Sequence, residues 1–207
     1  MLKRMTRPRL AGFTLIEMLV TIVLMSILIA LAMPSMSAWM RNARMRTVSD
    51  SLQNGLRLAQ SEATRRSRQV VFSLTNDKPT AVGHTAVEDG RNWAINTVPA
   101  MTDAGETSEF VEAGIMADAS TGIQIDGPSA ICFSSIGRMV PNSAPGVTGA
   151  TCALPTGTPP VQAFDITVTG AVAGVDRRLR VLVALGGQVR LCDPDKTLSN
   201  DHPDGCP

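Results

Sequence analysis

From Phe13 to Met33 the chain runs 21 residues in which only Thr14, Glu17, Thr21 and Ser26 interrupt an apolar series. As a helix with a rise of 1.5 Å per residue, such a segment reaches roughly 31 Å, about the thickness of a bilayer's hydrocarbon core. Lys3, Arg4, Arg7 and Arg9 precede it, with no acid among the first twelve residues. The positive-inside rule then keeps the N-terminus in the cytoplasm and exports everything beyond Pro34. Glu17 needs a separate reason, because an acid in hydrocarbon costs roughly 2.5–3.5 kcal/mol on insertion scales, less near an interface. A secretory signal cleaved after Ala30-Leu31-Ala32 explains neither the length of the apolar region nor the acid. A plain single-pass anchor leaves the carboxylate without a partner.

Beyond the apolar segment the charge is uneven. Residues 41–68 carry seven arginines against two acids, and residues 77–126 carry nine acids against Lys78 and Arg91. The formal charge of +1 therefore hides a basic leader, a basic helix and an acidic middle, a layout unlike that of a uniformly basic nucleic-acid binder. Pro34 removes a backbone donor and is expected to kink a helix there. Met36, Met40, Ala43, Val48, Leu52, Leu56, Ala59 and Ala63 then recur at three- to five-residue steps, which predicts an amphipathic helix to about Ser67. Its polar face, with Arg41, Arg44, Arg46, Arg57, Arg65 and Arg66, reads as solvated or as a contact surface for acidic neighbours.

After Arg68 the periodicity changes to short strands: Gln69–Leu74, Trp93–Val98, Gly122–Asp126, Ala130–Ser134, Phe164–Val168, Arg177–Leu185 and Gln188–Cys192. Gly186-Gly187 divides the last two as a hairpin turn. The stretch from Pro141 to Pro160 reads as a polar loop, too small and proline-rich for a core. The fold class is therefore α+β: one long N-terminal helix whose outer half packs on an antiparallel sheet. The expected segments are a leader (1–12), a transmembrane helix (13–34), an amphipathic helix (35–68) and a β-rich exported domain (69–207).

All four cysteines lie on the exported side, where disulfides persist. Three pairings are possible. Cys132–Cys152 and Cys192–Cys206 are expected because each closes a local Gly/Pro-rich loop, contributing roughly 3 kcal/mol in the chain-entropy model. The spacing lacks a Cys-x-x-Cys unit, and His84 and His202 are not placed as a ligand pair, so no zinc is expected. Asp193-x-Asp195 opens like a calcium loop but lacks the turn glycine and third ligand. There is no nucleophile motif and no phosphate loop. The sequence therefore points away from an enzyme and implies no cofactor.

The stretch Gly12-Phe13-Thr14-Leu15-Ile16-Glu17, behind a basic leader and ahead of an apolar helix, resembles the signal of type IV pilins and type II secretion pseudopilins. The resemblance implies that a prepilin peptidase cuts between Gly12 and Phe13 and N-methylates Phe13. It also implies that Glu17 pairs with the Phe13 ammonium of a neighbouring subunit during filament assembly. The segment order, including "ICFSSIGRMV" and "RRLRVLVALGGQVRLC", is similar to that of the GspH/FimT group of minor pilins and pseudopilins. That likeness implies a single-pass protein of the bacterial inner membrane, with its C-terminal domain periplasmic, that enters a type IV pilus or a secretion pseudopilus. Its implied partners are other pilins through the N-terminal helix. Some members of the group bind double-stranded DNA for natural transformation through a Gly-Arg-x-Arg motif. Here the aligned residues are Gly187-Gln188-Val189-Arg190, with Gln188 in place of the first arginine. Arg177, Arg178, Arg180 and Lys196 are expected nearby. Residues 69–207 nevertheless hold eight basic against fifteen acidic residues, which opposes phosphate binding.

Overall fold

A computed structural model of the protein describes residues 12–79, 83–100, 105–117, 119–171 and 176–207. The cationic leader, residues 1–11, lies outside the described residues. The chain divides into two units, Met1–Trp39 and Met40–Pro207. A single helix of 51 residues, α1 (Leu15–Arg65), supplies residues to both.

In the first unit every residue from Gly12 to Met33 is exposed. Helical structure continues through Pro34, the position at which the missing donor is expected to kink it. One absent N–H removes one backbone bond from a long ladder. Ser35 Oγ donates to the Ala32 carbonyl at 2.9 Å within the same turn.

In the second unit α1 buries Met45, Val48, Leu52, Leu56, Ala59 and Ala63. Steps of three and four residues keep these on one face. The face begins later than the sequence suggests, since Met36, Met40 and Ala43 are exposed. The five-residue step from Ala43 to Val48 marks the slip, and Met45, three residues before Val48, takes up the pattern. Nor are the polar-face arginines simply solvated. Arg41 Nε donates to Asp176 Oδ1 at 3.0 Å, Arg66 bonds Glu62 and Glu109, and Arg68 pairs with Glu106.

Among the described residues ten strands follow: β1 (Val70–Thr75), β2 (Asn92–Thr97), β3 (Phe110–Ile115), β4 (Ile123–Asp126), β5 (Ala130–Phe133), β6 (Met139–Val140), β7 (Val161–Val168), β8 (Leu179–Ala184), β9 (Val189–Thr197) and β10 (Gly205–Cys206). They form two five-stranded sheets, ordered β3-β2-β1-β5-β6 and β10-β9-β8-β7-β4. All pairings are antiparallel except β9 with β10, which is parallel. The long helix thus packs on antiparallel sheets, two of them rather than one. β3, β6 and β10 escaped the sequence reading because two are only two residues long and β3 alternates weakly.

The main core lies among α1 and both sheets. Phe72 of β1 stacks on Trp93 at 5.8 Å and meets Phe164 of β7 edge-on at 6.2 Å, so one ring joins the two sheets. Such pairs contribute about 0.5–1.5 kcal/mol each beyond their buried area. All six residues of β1 are buried because both of its faces are covered. Val70, Phe72 and Leu74 enter the main core, while Val71 joins a second cluster with Ala86, Val98, Ala130, Cys132, Ala150 and Cys152. The 141–160 loop therefore supplies core residues after all: Ala150 and Cys152 are buried against the back of the first sheet.

Candidate processing and assembly site

Gly12 is exposed, and a Cβ placed on it would meet nothing within 4 Å. The peptide bond it shares with Phe13 is therefore sterically open. Phe13 is 78% exposed. α1 begins two residues later, and the residue between is a cap: Thr14 Oγ1 accepts from the Glu17 N–H at 3.3 Å. Thr14-x-x-Glu17 has the spacing of a capping box, with an acid in the first turn where the helix dipole favours it. The Thr-x-x-Glu spacing is the signal in the sequence for this cap.

The polar side chains of the apolar segment fare differently from one another. Thr21 Oγ1 donates to the Met18 carbonyl at 2.8 Å and Ser26 Oγ to the Val23 carbonyl at 2.7 Å. Bonds of this kind satisfy a hydroxyl within its own helix. A carboxylate has no such recourse, because the carbonyls of a helix offer it no donor. Among the described residues no cation pairs with Glu17. An 18-residue window of this helix has mean hydropathy 2.7 with none of it buried. The segment is thus an uncovered apolar rod with one unpartnered charge near its start.

The cysteines and the C-terminal cations lie in the second unit. Disulfides join Cys132 to Cys152 and Cys192 to Cys206. The first bridges β5 to the 141–160 loop inside the second core, and the second fixes β10 beside β9. Gly187, in the β8–β9 turn at φ +86°, donates its N–H to the Ala184 carbonyl at 2.8 Å. A Cβ there would lie 2.0 Å from the Gly137 carbonyl oxygen and 2.3 Å from Gln60 Nε2.

The cations proposed from sequence for DNA contact are largely engaged within the fold. Arg180 holds Asp165, its cross-strand neighbour, through two bonds of 2.6 and 2.9 Å. Arg178 pairs with Asp195, and this bond holds the Asp195 carboxyl below its usual range. Lys196 bonds Asp204 at 2.5 Å and lies 3.7 Å from Asp193. Its ammonium is raised, and the Asp204 carboxyl lowered, chiefly by that bond. Arg190 donates to the Pro203 carbonyl at 2.9 Å and so clamps the tail. Gln188 is exposed. Neither Arg177 nor Arg190 has an acidic partner among the described residues. No group of three or more His, Cys, Asp or Glu placed to hold a metal occurs among the described residues.

Residues 7–33 match the family model described as the prokaryotic N-terminal methylation motif. The chain carries that motif. The match spans the apolar rod, its acid and the Gly12–Phe13 bond. Among curated proteins, none matches the chain. Among solved structures, the type IV minor pilin FimU of Pseudomonas aeruginosa is 18% identical, with 73% of this chain and 90% of that one covered at a TM-score of 0.47. The minor pseudopilin EpsH from the type 2 secretion system of Vibrio cholerae is 14% identical, with coverage of 74% and 99% at a TM-score of 0.45.

Proposed function

We propose that this protein is a minor pilin, a non-catalytic subunit of a type IV pilus. A prepilin peptidase cuts between Gly12 and Phe13 and methylates the new Phe13 amine. The mature chain waits in the bacterial inner membrane, held by its apolar helix, with the β-rich unit in the periplasm. It then leaves the lipid by joining other pilins, helix against helix. The observation that carries this reading is Glu17, without a cationic partner among the described residues, within a matched methylation motif. In lipid the carboxylate is costly. In a bundle of like helices a Phe13 ammonium from a neighbour neutralises it, so assembly is favoured over storage and register is set by one charge pair.

Two measurements test the proposal in cells of the source organism. Mass spectrometry of the membrane-extracted chain is expected to find N-methylphenylalanine at Phe13. A chain that keeps Met1, or one that begins at Met33, overturns the reading. Glu17→Val is expected to insert in the membrane as well as the unmodified chain yet to be absent from sheared filaments. Normal incorporation of the variant removes the charge-pairing argument.

A type II secretion pseudopilus would use the same rod and acid, and recovery in sheared surface pili assigns the pilus instead. Capture of duplex DNA draws little support from the geometry. Arg178, Arg180 and Lys196 are spent on Asp195, Asp165 and Asp204, and Arg190 on the tail. Phosphate binding would have to displace those carboxylates.

A further inference from the structure

Between Pro34 and Ser49 the sequence holds Arg41, Arg44 and Arg46 and no acid; the first carboxylate after Glu17 is Asp50. All three arginines fall in the first turns that α1 supplies to the Met40–Pro207 unit. Arg41 Nε donates to Asp176 Oδ1 at 3.0 Å, so this nearly buried acid is already engaged. The pair also ties the segment leading into β8 to the same helical turns. Arg177, the next residue along the chain, therefore joins the cluster. Arg44, Arg46 and Arg177 are exposed and have no acidic partner among the described residues. Arg44 makes one long bond, to the Thr121 carbonyl at 3.5 Å.

The position of these cations along the chain restricts what they meet. Met33 ends the apolar segment, and Arg41, Arg44 and Arg46 follow it by 8, 11 and 13 residues, roughly 12–20 Å of helix. The headgroup zone of a bilayer extends about 5–8 Å beyond its hydrocarbon core. Surface charge is felt for about 8 Å more at physiological salt. The arginines lie within that reach. Trp39, 67% exposed, and Met40, 45% exposed, come just before them, and an indole favours the membrane–water interface. In the topology proposed above, these arginines stand on the exported side, where cations directly after an apolar span run against the usual bias. A merely solvated face gives no reason for that departure. Residues 69–207 hold eight basic against fifteen acidic residues, so the unit as a whole is repelled by an anionic surface and the cluster is its exception.

We infer that Arg44, Arg46 and Arg177 form a cationic collar that binds anionic phospholipid headgroups at the exported face of the membrane. Each guanidinium fork takes phosphodiester oxygens, and Arg41 holds Arg177 in place through Asp176. The inference rests on the proposed membrane anchoring and adds a second hold to it, one made by charge.

The test uses the full chain reconstituted in phosphatidylcholine vesicles. Trace spin-labelled phosphatidylglycerol and spin-labelled phosphatidylcholine report, by electron paramagnetic resonance, how strongly each lipid associates with the protein. Phosphatidylglycerol is expected to associate at least about fivefold more strongly, with the preference shrinking as NaCl rises from about 20 mM to about 1 M. Combining Arg44→Gln, Arg46→Gln and Arg177→Gln is expected to cut the low-salt preference at least about threefold, with Tm and carbonate-resistant insertion unchanged. The leader cations are the same in both chains, so the difference belongs to the collar. Arg57→Gln with Arg138→Gln, exposed cations elsewhere in the unit, is expected to leave the preference as it was. Inorganic phosphate is expected to displace no more lipid than NaCl of equal ionic strength. An undiminished preference in the triple variant overturns the inference and assigns the patch to an acidic protein partner instead. An equal loss in the Arg57 and Arg138 variant, or specific displacement by phosphate, overturns it too. Insertion without any preference overturns the inference alone, whereas failure to insert overturns the proposed anchoring as well.

Discussion

At Gly187 two constraints coincide, a positive φ of +86° and a neighbouring carbonyl that fills the space of a Cβ. The glycine that resemblance would assign to nucleic-acid contact has a structural duty: it lets the β8–β9 turn approach Gly137 and Gln60 of α1. Gly187→Ala is expected to cost about 2–4 kcal/mol in urea denaturation, since strain and overpacking add. Gly114 behaves similarly for a different reason. A Cβ there would lie 2.2 Å from Trp93 Cε2, and the indole donates to Ser51 Oγ at 3.1 Å. Gly114→Ala is expected to cost about 1–3 kcal/mol and to shift tryptophan fluorescence as the ring leaves Ser51. Charge is tuned at single residues too. Hydrogen bonds from Arg65 and then Arg66 lower the Glu62 pKa from 4.5 to about 2. A depressed carboxylate pKa adds stability that is complete above the unfolded value and is lost as pH falls through the folded one. Glu62→Gln is therefore expected to lower stability by about 0.5–1 kcal/mol near neutral pH, after allowing for solvent screening of the exposed Arg65. That deficit should shrink between pH 4.5 and about 2, the window set by the two pKa values, as followed by denaturation midpoints.

Among the elements, β10 depends most on a covalent tie. It has two residues, and its parallel pairing with β9 shifts register between them. Cys192–Cys206, 14 residues apart in sequence, holds it there with help from Arg190 and Lys196. Replacing both cysteines by serine is expected to release the tail while β7, β8 and β9 keep their ladder. Amide exchange at Gly205 would quicken, with little change at Val181. The other bridge is different in kind, since Cys132 and Cys152 are buried in the second core. Cys132→Ser with Cys152→Ser is expected to cost about 3 kcal/mol or more of global stability, because loop entropy returns and two hydroxyls enter an apolar cluster. These bridges join the cysteines nearest in sequence, which is why spacing alone suggested them. The strands that spacing missed are those whose pairing, not composition, makes them strands.

At the scale of the whole molecule the chain carries two kinds of surface. The apolar rod of the Met1–Trp39 unit buries none of its apolar window, whereas the Met40–Pro207 unit closes its own core from Met45 onward. A chain beginning at Met40 is therefore expected to be water-soluble and to melt cooperatively, checked by circular dichroism and gel filtration. Aggregation or a non-cooperative melt would mean that the core needs the rod. The linear sequence by itself determined the rod, its lone acid, the open Gly12–Phe13 bond and the helix-plus-sheet class. These are properties of contiguous residues, each carried by its own short stretch of chain. Tertiary structure alone decided that the strands divide into two sheets and that Arg178, Arg180 and Lys196 face carboxylates. Those facts depend on groups tens of residues apart, and which group faces which is set by sheet register and helix packing, which no local pattern encodes.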